Sequence, residues 1–100
     1  MRRDWTKARA KVDSEAECRV CERGDGLQAA HVIGRKYDPP TGKVDPLDIV
    51  PLCVECHMAY DAHRLDLLPY LTYPEQGQAA SHVGLVRALK RTSPETEWVS

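Results

Sequence analysis

The folding of this chain centres on Leu52-Cys53-Val54-Glu55-Cys56-His57-Met58-Ala59-Tyr60-Asp61. This stretch contains a Cys-x-x-Cys pair, a histidine directly after it, and an aspartate four residues further on. A second pair with the same spacing lies upstream, so all four cysteines of the chain fall into two pairs. One pair alone would leave a redox motif open, whereas two pairs favour a structural metal. We therefore predict one tetrahedral zinc site with the ligands Cys18, Cys21, Cys53 and Cys56.

The length of the chain makes such an ion important. A chain of 100 residues forms a single domain, 1–100, with a modest core. An ion that joins two distant segments would support that core, and bound zinc contributes on the order of 10 kcal/mol to folding in small modules. Apolar residues make up 42% and charged residues 29%, which is typical of a globular protein rather than a disordered one. We expect a domain that needs its metal to fold.

Neither end of the chain suggests secretion or membrane insertion. No apolar run follows residues 1–5, so we expect no signal peptide. Pro69 and Pro74 interrupt the most apolar part of the chain, and no uncharged stretch is long enough to cross a bilayer. Paired cysteines without secretion fit metal ligation in a reducing compartment, which predicts a cytoplasmic protein that is not embedded in a membrane.

The basic residues are grouped, although the formal net charge is −1. One group lies within residues 1–11, a second near His31, and a third comprises Arg87, Lys90 and Arg91. Local groups can contact a polyanion even where the net charge does not favour it, and ordinary solvated surface is the alternative. The residues expected to contact a nucleic-acid backbone are Arg2, Arg3, Lys7, Arg9, Arg35 and Lys36.

Periodicity and turn residues predict an α+β fold, a small zinc-stabilised strand–loop–strand–helix core with flanking helices. The core covers residues 18–61, an amino-terminal basic arm or helix covers 1–12, and carboxyl-terminal helices cover 64–91. The predicted elements are a helix over 4–12, strands over 27–33 and 49–52, a helix over 54–62, one or two helical turns over 64–71, and an amphipathic helix over 75–91.

The order of the motifs resembles the zinc-bearing HNH endonucleases, whose fold is the ββα-metal finger. The resemblance rests on the two cysteine pairs, on Ala30-His31-Val32-Ile33, and on Asp48-Ile49-Val50-Pro51-Leu52 before the second pair. It is firm over residues 18–61, and the flanks are similar to those of small phage-type members. The resemblance implies a metal-dependent DNA endonuclease that hydrolyses phosphodiester bonds. Its implied cofactors are a structural zinc and one catalytic ion (Mg²⁺, Mn²⁺, Ni²⁺ or Zn²⁺); its implied partners are DNA and, for phage members, packaging proteins.

By this resemblance, His31 matches the general base and His57 matches a ligand of the catalytic ion. A neutral imidazole can accept a proton from water when another group orients its far nitrogen. The ion would stabilise charge on the scissile phosphate. The alternative for His31 is a hydrogen-bonded core histidine. The alternative for His57 is the zinc site, which four cysteines already fill.

Two positions depart from the family pattern. Asp48 stands where the family has its middle asparagine, and Ala30 stands where many members have an aspartate or histidine that binds the ion. An ionised Asp48 could still hold the ring N–H of His31, or it could turn towards the metal. An alanine cannot ligate, so we expect a replacement ligand elsewhere.

Helix geometry suggests Asp61 as that replacement. His57 and Asp61 are four residues apart, so on a helix they share one face and could hold one ion together. Asp61 could instead be a surface carboxylate or the cap of a following helical piece. His63 is the second candidate ligand, and His82 is expected to be structural.

These observations support three functions. The first is the DNA endonuclease with His31, Asp48 and His57 at the catalytic site. The second is a catalytically inactive, zinc-stapled nucleic-acid-binding module, which Ala30 and Asp48 favour. The third is a structural or protein-interaction zinc module, which leaves His31 unexplained. Metal-dependent nicking of plasmid DNA distinguishes the first from the others.

Overall fold

The computed structural model describes residues 3–94 of the chain. Within that range, a two-stranded antiparallel sheet lies among four α-helices, which confirms a mixed α and β architecture. None of these helices is long and apolar enough to span a bilayer. In chain order the elements are α1 (Thr6–Glu15), β1 (Gln28–His31), β2 (Ile49–Leu52), α2 (Val54–Asp61), α3 (Tyr73–Val83) and α4 (Leu85–Thr92), with single 3-10 turns at Arg35–Tyr37, Pro46–Asp48 and Leu68–Tyr70.

The two strands form the hairpin that carries His31. Gln28 lies opposite Leu52, and His31 lies opposite Ile49. Pro51 has no N–H to donate, which this sheet tolerates because each of its two strands has a free edge. The carbonyl of Pro51 accepts the N–H of Arg19 at 2.9 Å, and this bond ties the first cysteine segment to the sheet.

Two clusters of buried residues hold the elements together. The larger one lies between the hairpin, α2 and the carboxyl-terminal helices, around the fully buried side chains of Tyr60 and Leu67. The Tyr60 hydroxyl donates to the carbonyl of Val32, so this buried polar group is satisfied. Full burial of one aliphatic or aromatic side chain stabilises the fold by about 1.5–3 kcal/mol. The smaller cluster lies under α1 and comprises Ala8, Val12, Val44 and Ile49.

The carboxyl-terminal part differs from the sequence prediction of one helix over residues 75–91, which is wrong. Gly84 has φ +85° and separates α3 from α4. This left-handed backbone is available to glycine at little cost, so the chain turns there although its apolar pattern continues. Pro74 lies in the first turn of α3, and Thr72 and Glu75 form a capping box around it.

The first helix also starts later than predicted, at Thr6 rather than residue 4. The Asp4 carboxylate accepts the Thr6 N–H at 2.9 Å, and the Asp4 backbone bonds to Gly42 and Val44. The amino-terminal arm is therefore joined to the loop between the strands before α1 begins.

A buried ion cluster connects α1, the first cysteine segment and α3. The side chain of Glu75 is 2% exposed and contacts Lys11 Nζ at 2.5 Å and Arg19 Nη1 at 2.7 Å. Burial alone would raise the pKa of Glu75, but the hydrogen bonds from Arg19 and Lys11 outweigh it and lower the pKa to about 2. Glu75 is therefore ionised in the fold and holds α3 against the segment that carries Cys18.

Candidate metal centre and histidine cavity

The four cysteines meet in one cluster. Their sulfur atoms all lie within 4.8 Å of one another, and they are the one group of three or more ligating side chains that close together among residues 3–94. The Sγ atoms of Cys21 and Cys53 are 3.5 Å apart. A tetrahedral site with metal–sulfur bonds of about 2.3 Å has sulfur–sulfur edges of about 3.8 Å. The cluster therefore has the size needed to hold one metal ion.

Local backbone structure explains why the sulfurs converge. Cys18 lies on a tight turn in which its N–H donates to the Arg23 carbonyl at 2.7 Å, and its carbonyl accepts the Glu22 N–H at 3.0 Å. Cys53 is the N-cap of α2, and its sulfur accepts the N–H of Cys56 at 3.5 Å. Each Cys-x-x-Cys pair thus directs both sulfurs to the same side of a short turn.

The thiols of this cluster differ in how easily they ionise. Burial opposes ionisation of Cys18, but backbone N–H groups around its sulfur outweigh burial and lower its pKa to about 6. Burial, and then the neighbouring sulfurs of Cys53 and Cys18, raise the pKa of Cys56. One thiolate forms readily, whereas further negative charge needs a cation to balance it. Metal binding supplies that balance and releases protons.

A second site is a cavity of about 310 Å³, here called the histidine cavity. It brings together the expected general base, His31, and the two expected ligands of the catalytic ion, His57 and Asp61. A larger, open depression of about 720 Å³ beside residues 68–76 has no histidine, cysteine or carboxylate in its lining, so the chemistry points to the smaller one. The residues that line the histidine cavity are Ala29, His31, Ile33, Gly34, Arg35, His57, Asp61 and Arg91.

His57 is oriented by a neighbour on β1. Its Nδ1 lies 2.6 Å from Oε1 of Gln28, and its Nε2 lies 3.4 Å from Oδ2 of Asp61. Because an amide oxygen only accepts, this contact requires the proton on Nδ1, and a neutral imidazole then keeps its lone pair on Nε2. Two ligand atoms about 2.1 Å from one ion lie roughly 3.0–3.4 Å apart. His57 and Asp61 therefore fit two positions of one coordination shell, and the Asp61 side chain is 62% exposed, so ions can reach it.

His31 is held by a carboxylate that the sequence reasoning missed. Its Nε2 lies 3.1 Å from both carboxylate oxygens of Asp38, whose side chain is only 4% exposed. Asp38 is also paired with Arg3, and Trp5 packs its ring edge-to-face against the imidazole at 5.4 Å. Asp38 follows a basic run in a loop rich in turn residues, and nothing in that pattern marks it as a partner of His31.

Asp48, which was expected to hold His31 or to turn towards the metal, does neither in this structure. Its Oδ1 accepts from Nε2 of His82 on α3 at 2.9 Å, and it does not line the histidine cavity. Burial raises the pKa of Asp48 although the bond to His82 opposes that rise. Its carbonyl accepts the N–H of Val32 at 2.9 Å, so Asp48 steadies the end of the His31 strand through its backbone.

His63, the second candidate ligand, lies outside the histidine cavity. It has φ +59°, and its Nδ1 lies 3.4 Å from Nη1 of Arg91. His63 therefore follows the end of α2 in a left-handed turn, with Arg91 as a neighbour.

The amino-terminal residues expected to bind DNA do not form one uniform surface. Arg2 lies outside the described residues. Arg3 is paired with Asp38, and Arg9 Nε lies 3.3 Å from Asp13 Oδ1. Ion pairing thus reduces the positive charge that the arm offers to a polyanion.

The other expected contacts lie in three different places. Lys7 is exposed beside Lys43 in a small depression. Lys36 lies 5.2 Å from the centroid of the Tyr37 ring. Arg35 lines the histidine cavity, and it is joined there by Arg91 of α4.

Both sites are built on the same short helix. Cys53 and Cys56 lie at the start of α2, and His57 and Asp61 lie further along it. A metal ion in the cysteine cluster would therefore fix the helix that carries two residues of the histidine cavity. Comparison of the chain with protein-family models, with curated proteins and with solved structures found no match.

Proposed function

We propose that this protein is a metal-dependent endonuclease that hydrolyses phosphodiester bonds in DNA, of the HNH type that its sequence resembles. The observation that carries the proposal is the meeting of His31, His57 and Asp61 in one cavity beside a four-cysteine cluster. The order β1, β2, α2 agrees with the ββα arrangement that the resemblance implies. A base and metal ligands that line one cavity suit hydrolysis of a phosphodiester bound there.

In this proposal the cysteine cluster holds a structural zinc ion. Four thiolates form a closed tetrahedral donor set, which is typical of structural rather than catalytic zinc. The cluster contains sulfurs from the first cysteine segment and from the start of α2. The backbone bond from Arg19 to Pro51 also ties the first cysteine segment to the edge of β2. The ion would thereby hold the hairpin and the helix at a fixed distance.

His57 and Asp61 are the residues that would hold the catalytic divalent ion. Gln28 fixes the tautomer of His57, which leaves Nε2 free to ligate. Two protein ligands leave several coordination positions for water and phosphate oxygens, as is usual for ions that act on phosphates. When bound, the ion would offset negative charge on the scissile phosphate and its leaving oxygen.

His31 is the proposed general base. With Nε2–H donating to Asp38, Nδ1 carries the lone pair that can accept a proton from the attacking water. The Asp38 carboxylate would then stabilise the imidazolium that forms, as the buried aspartate does beside the histidine of a serine protease triad. Trp5 covers one side of the ring and limits its rotation.

A second candidate function is a zinc-stapled nucleic-acid-binding module without catalysis. The observation that favours it is the small number of ligating side chains that line the histidine cavity: Ala30 is buried in the core and Asp48 bonds to His82, so neither lines the cavity. Such a module would bind DNA through its basic residues and leave the phosphodiester intact.

Plasmid nicking separates the two functions. Zinc-loaded protein would be incubated with supercoiled plasmid and, in separate reactions, with Mg²⁺, Mn²⁺, Ni²⁺ or additional Zn²⁺. We expect conversion to nicked circles with at least one of these ions and none without a catalytic ion. Binding without nicking under every condition would leave the binding module as the function.

A further inference from the structure

Arg91 is fixed in the wall of the histidine cavity by a buried aromatic ring. Its guanidinium lies 4.0 Å from the centroid of the Tyr60 ring, and its Nη1 donates to the Tyr60 carbonyl at 3.2 Å. Tyr60 is fully buried, so it gives the guanidinium a rigid support. The Arg91 side chain is 21% exposed, which leaves part of it open to the cavity.

The other side of the guanidinium has hydrogen-bonding capacity left. Within residues 3–94, Nη1 makes the bonds to Tyr60 and His63, whereas Nη2 has Asp61 Oδ1 as its ion-pair partner at 3.8 Å. That distance is too long for a hydrogen bond. Packing over Tyr60 explains the position of the Arg91 side chain. It does not explain why the Nη2 donors have no hydrogen-bond acceptor within residues 3–94.

The charge of the cavity lining favours an anion. Two arginines, Arg35 and Arg91, face one carboxylate, Asp61, and the two histidines add no negative charge. Arg35 follows the end of β1 and Arg91 comes from α4, so the two cations reach the cavity from different elements. A planar guanidinium binds phosphate oxygens through paired N–H donors, which makes a phosphate group the ligand class that fits best.

We propose that Arg91 binds a non-bridging oxygen of the phosphate that occupies the histidine cavity, which makes α4 part of the substrate site. The inference rests on the proposed function, because it takes that phosphate to be a phosphodiester of DNA. Arg91 stabilises charge that builds up on the phosphate during hydrolysis, since its guanidinium is already oriented by Tyr60. Its contribution therefore falls on the rate of the bound substrate as well as on affinity.

The test compares Arg91→Met with Arg87→Met. Methionine keeps an unbranched stem that can lie over Tyr60 and removes the charge. Arg87 is the matched control because it lies one turn earlier on α4, is exposed, and does not line the histidine cavity. We expect Arg91→Met to lower the single-turnover nicking rate at saturating protein by about 10- to 100-fold, and Arg87→Met to lower it by less than about 3-fold.

A binding measurement runs beside the kinetics. Affinity for a fluorescent DNA duplex is measured by anisotropy, with Ca²⁺ in place of the catalytic ion. We expect Arg91→Met to weaken duplex binding about 5-fold more than Arg87→Met, because it loses a phosphate contact inside the cavity. Zinc content and melting temperature check the fold of each variant. If Arg91→Met does not melt cooperatively, Arg91→Gln takes its place, since glutamine keeps a donor for the Tyr60 carbonyl.

The two readouts separate the inference from the proposed function. If the wild type nicks plasmid and the Arg91 and Arg87 variants behave alike in rate and affinity, the role of Arg91 is overturned and the nuclease stands. If the wild type does not nick, but the Arg91 variant loses more duplex affinity than the Arg87 variant, catalysis is overturned and the phosphate contact stands. If the wild type does not nick and the variants bind alike, both are overturned.

Discussion

The cysteine cluster and the histidine cavity are both carried by α2, yet they differ in how complete they are. The cluster has four like donors from the chain itself, two of which are buried. The cavity offers His57 and Asp61 as paired ligands beside a separate base, His31, and it is open to solvent at Asp61. A closed donor set suits an ion that holds a fold together, whereas an open one suits an ion that must also bind substrate. One short helix can therefore carry ligands for a structural ion at its first turn and ligands for a catalytic ion further along.

The largest expected effect comes from breaking the closed site. Cys53→Ser removes one ligand and the cap of α2, so we expect loss of stoichiometric zinc and of cooperative unfolding. Zinc binding contributes on the order of 10 kcal/mol to the free energy of folding, which exceeds the stability of many small domains. Metal content by atomic absorption and thermal melting by circular dichroism measure both effects.

Val54→Ser is the control for this change. Val54 is the next residue on the same helix and is 46% exposed, so its replacement should leave zinc content unchanged. Normal cooperative melting of Cys53→Ser without metal would contradict a structural role of the cluster.

The second effect concerns the chemistry of the open site. His31→Ala removes the proposed base, and we expect nicking to fall by about 100- to 10,000-fold while zinc content and duplex affinity persist. In the wild type, nicking should also fall in acid, because a protonated imidazole cannot accept a proton from water. Plasmid nicking over a series of pH values measures both.

Asp38→Asn refines that test. An amide can still contact Nε2 of His31, but it cannot balance the charge of an imidazolium, so we expect a smaller loss than with His31→Ala. Asp25→Asn is the control, since the Asp25 side chain is 89% exposed and does not line the histidine cavity. Nicking by His31→Ala at the wild-type rate would exclude His31 as the base.

The third effect separates the two proposed metal sites. Asp61→Ala should weaken binding of the catalytic ion by about 10- to 100-fold, while the cysteine cluster stays filled. Calorimetric titration of Mn²⁺ into zinc-loaded protein measures this affinity. Glu55→Ala is the matched control, because Glu55 is an exposed acid on the same helix that pairs with Arg23. Equal affinities of the two variants would leave His57 without the partner proposed for it.

The parts of the fold that short-range chemistry determines were predictable. The bounds of β2 agree with the sequence prediction, and α2 begins where expected, because Cys53 belongs to the cysteine cluster and also caps the helix. The convergence of the cysteines followed from their spacing, since each pair needs only one tight turn to bring its sulfurs together. These features depend on a few adjacent residues.

The parts that depend on contacts across the chain were not predictable. Asp38 and His31 are brought together by the loop between the strands, and their sequence spacing carries no period that would reveal it. The apolar pattern runs through Gly84, so the break between α3 and α4 was missed, and with it the position of Arg91. Asp48 was assigned from a resemblance, whereas its partner His82 comes from a helix outside the motif.

The smallest expected effect concerns the ion pairs of Glu75, which hold the cysteine segment in place beside the proposed metal. Glu75 binds Arg19, which lies between Cys18 and Cys21. The pKa of Glu75 falls to about 2 from its usual 4.5, because the bonds from Arg19 and Lys11 outweigh burial. A depressed carboxyl pKa stabilises the fold fully above the unfolded value, and this stabilisation is lost as the pH falls through the folded value.

Glu75→Gln should therefore lower the free energy of unfolding by about 1–3 kcal/mol at neutral pH, since it removes the carboxylate that the partly buried Lys11 and Arg19 share and leaves Arg19 with Glu15 alone. The difference from wild type should shrink as the pH falls below about 4.5 towards 2. Acid also protonates the thiolates and releases zinc, but it does so in both proteins, so the difference between their free energies of unfolding isolates Glu75.

Glu15→Gln is the control, because Glu15 pairs with the same arginine and its side chain is 30% exposed. Urea unfolding at several pH values measures these differences. A difference that stays constant from neutral to acidic pH would mean that the cysteine segment is held by its metal and by apolar contacts, and that Glu75 contributes through the capping box alone.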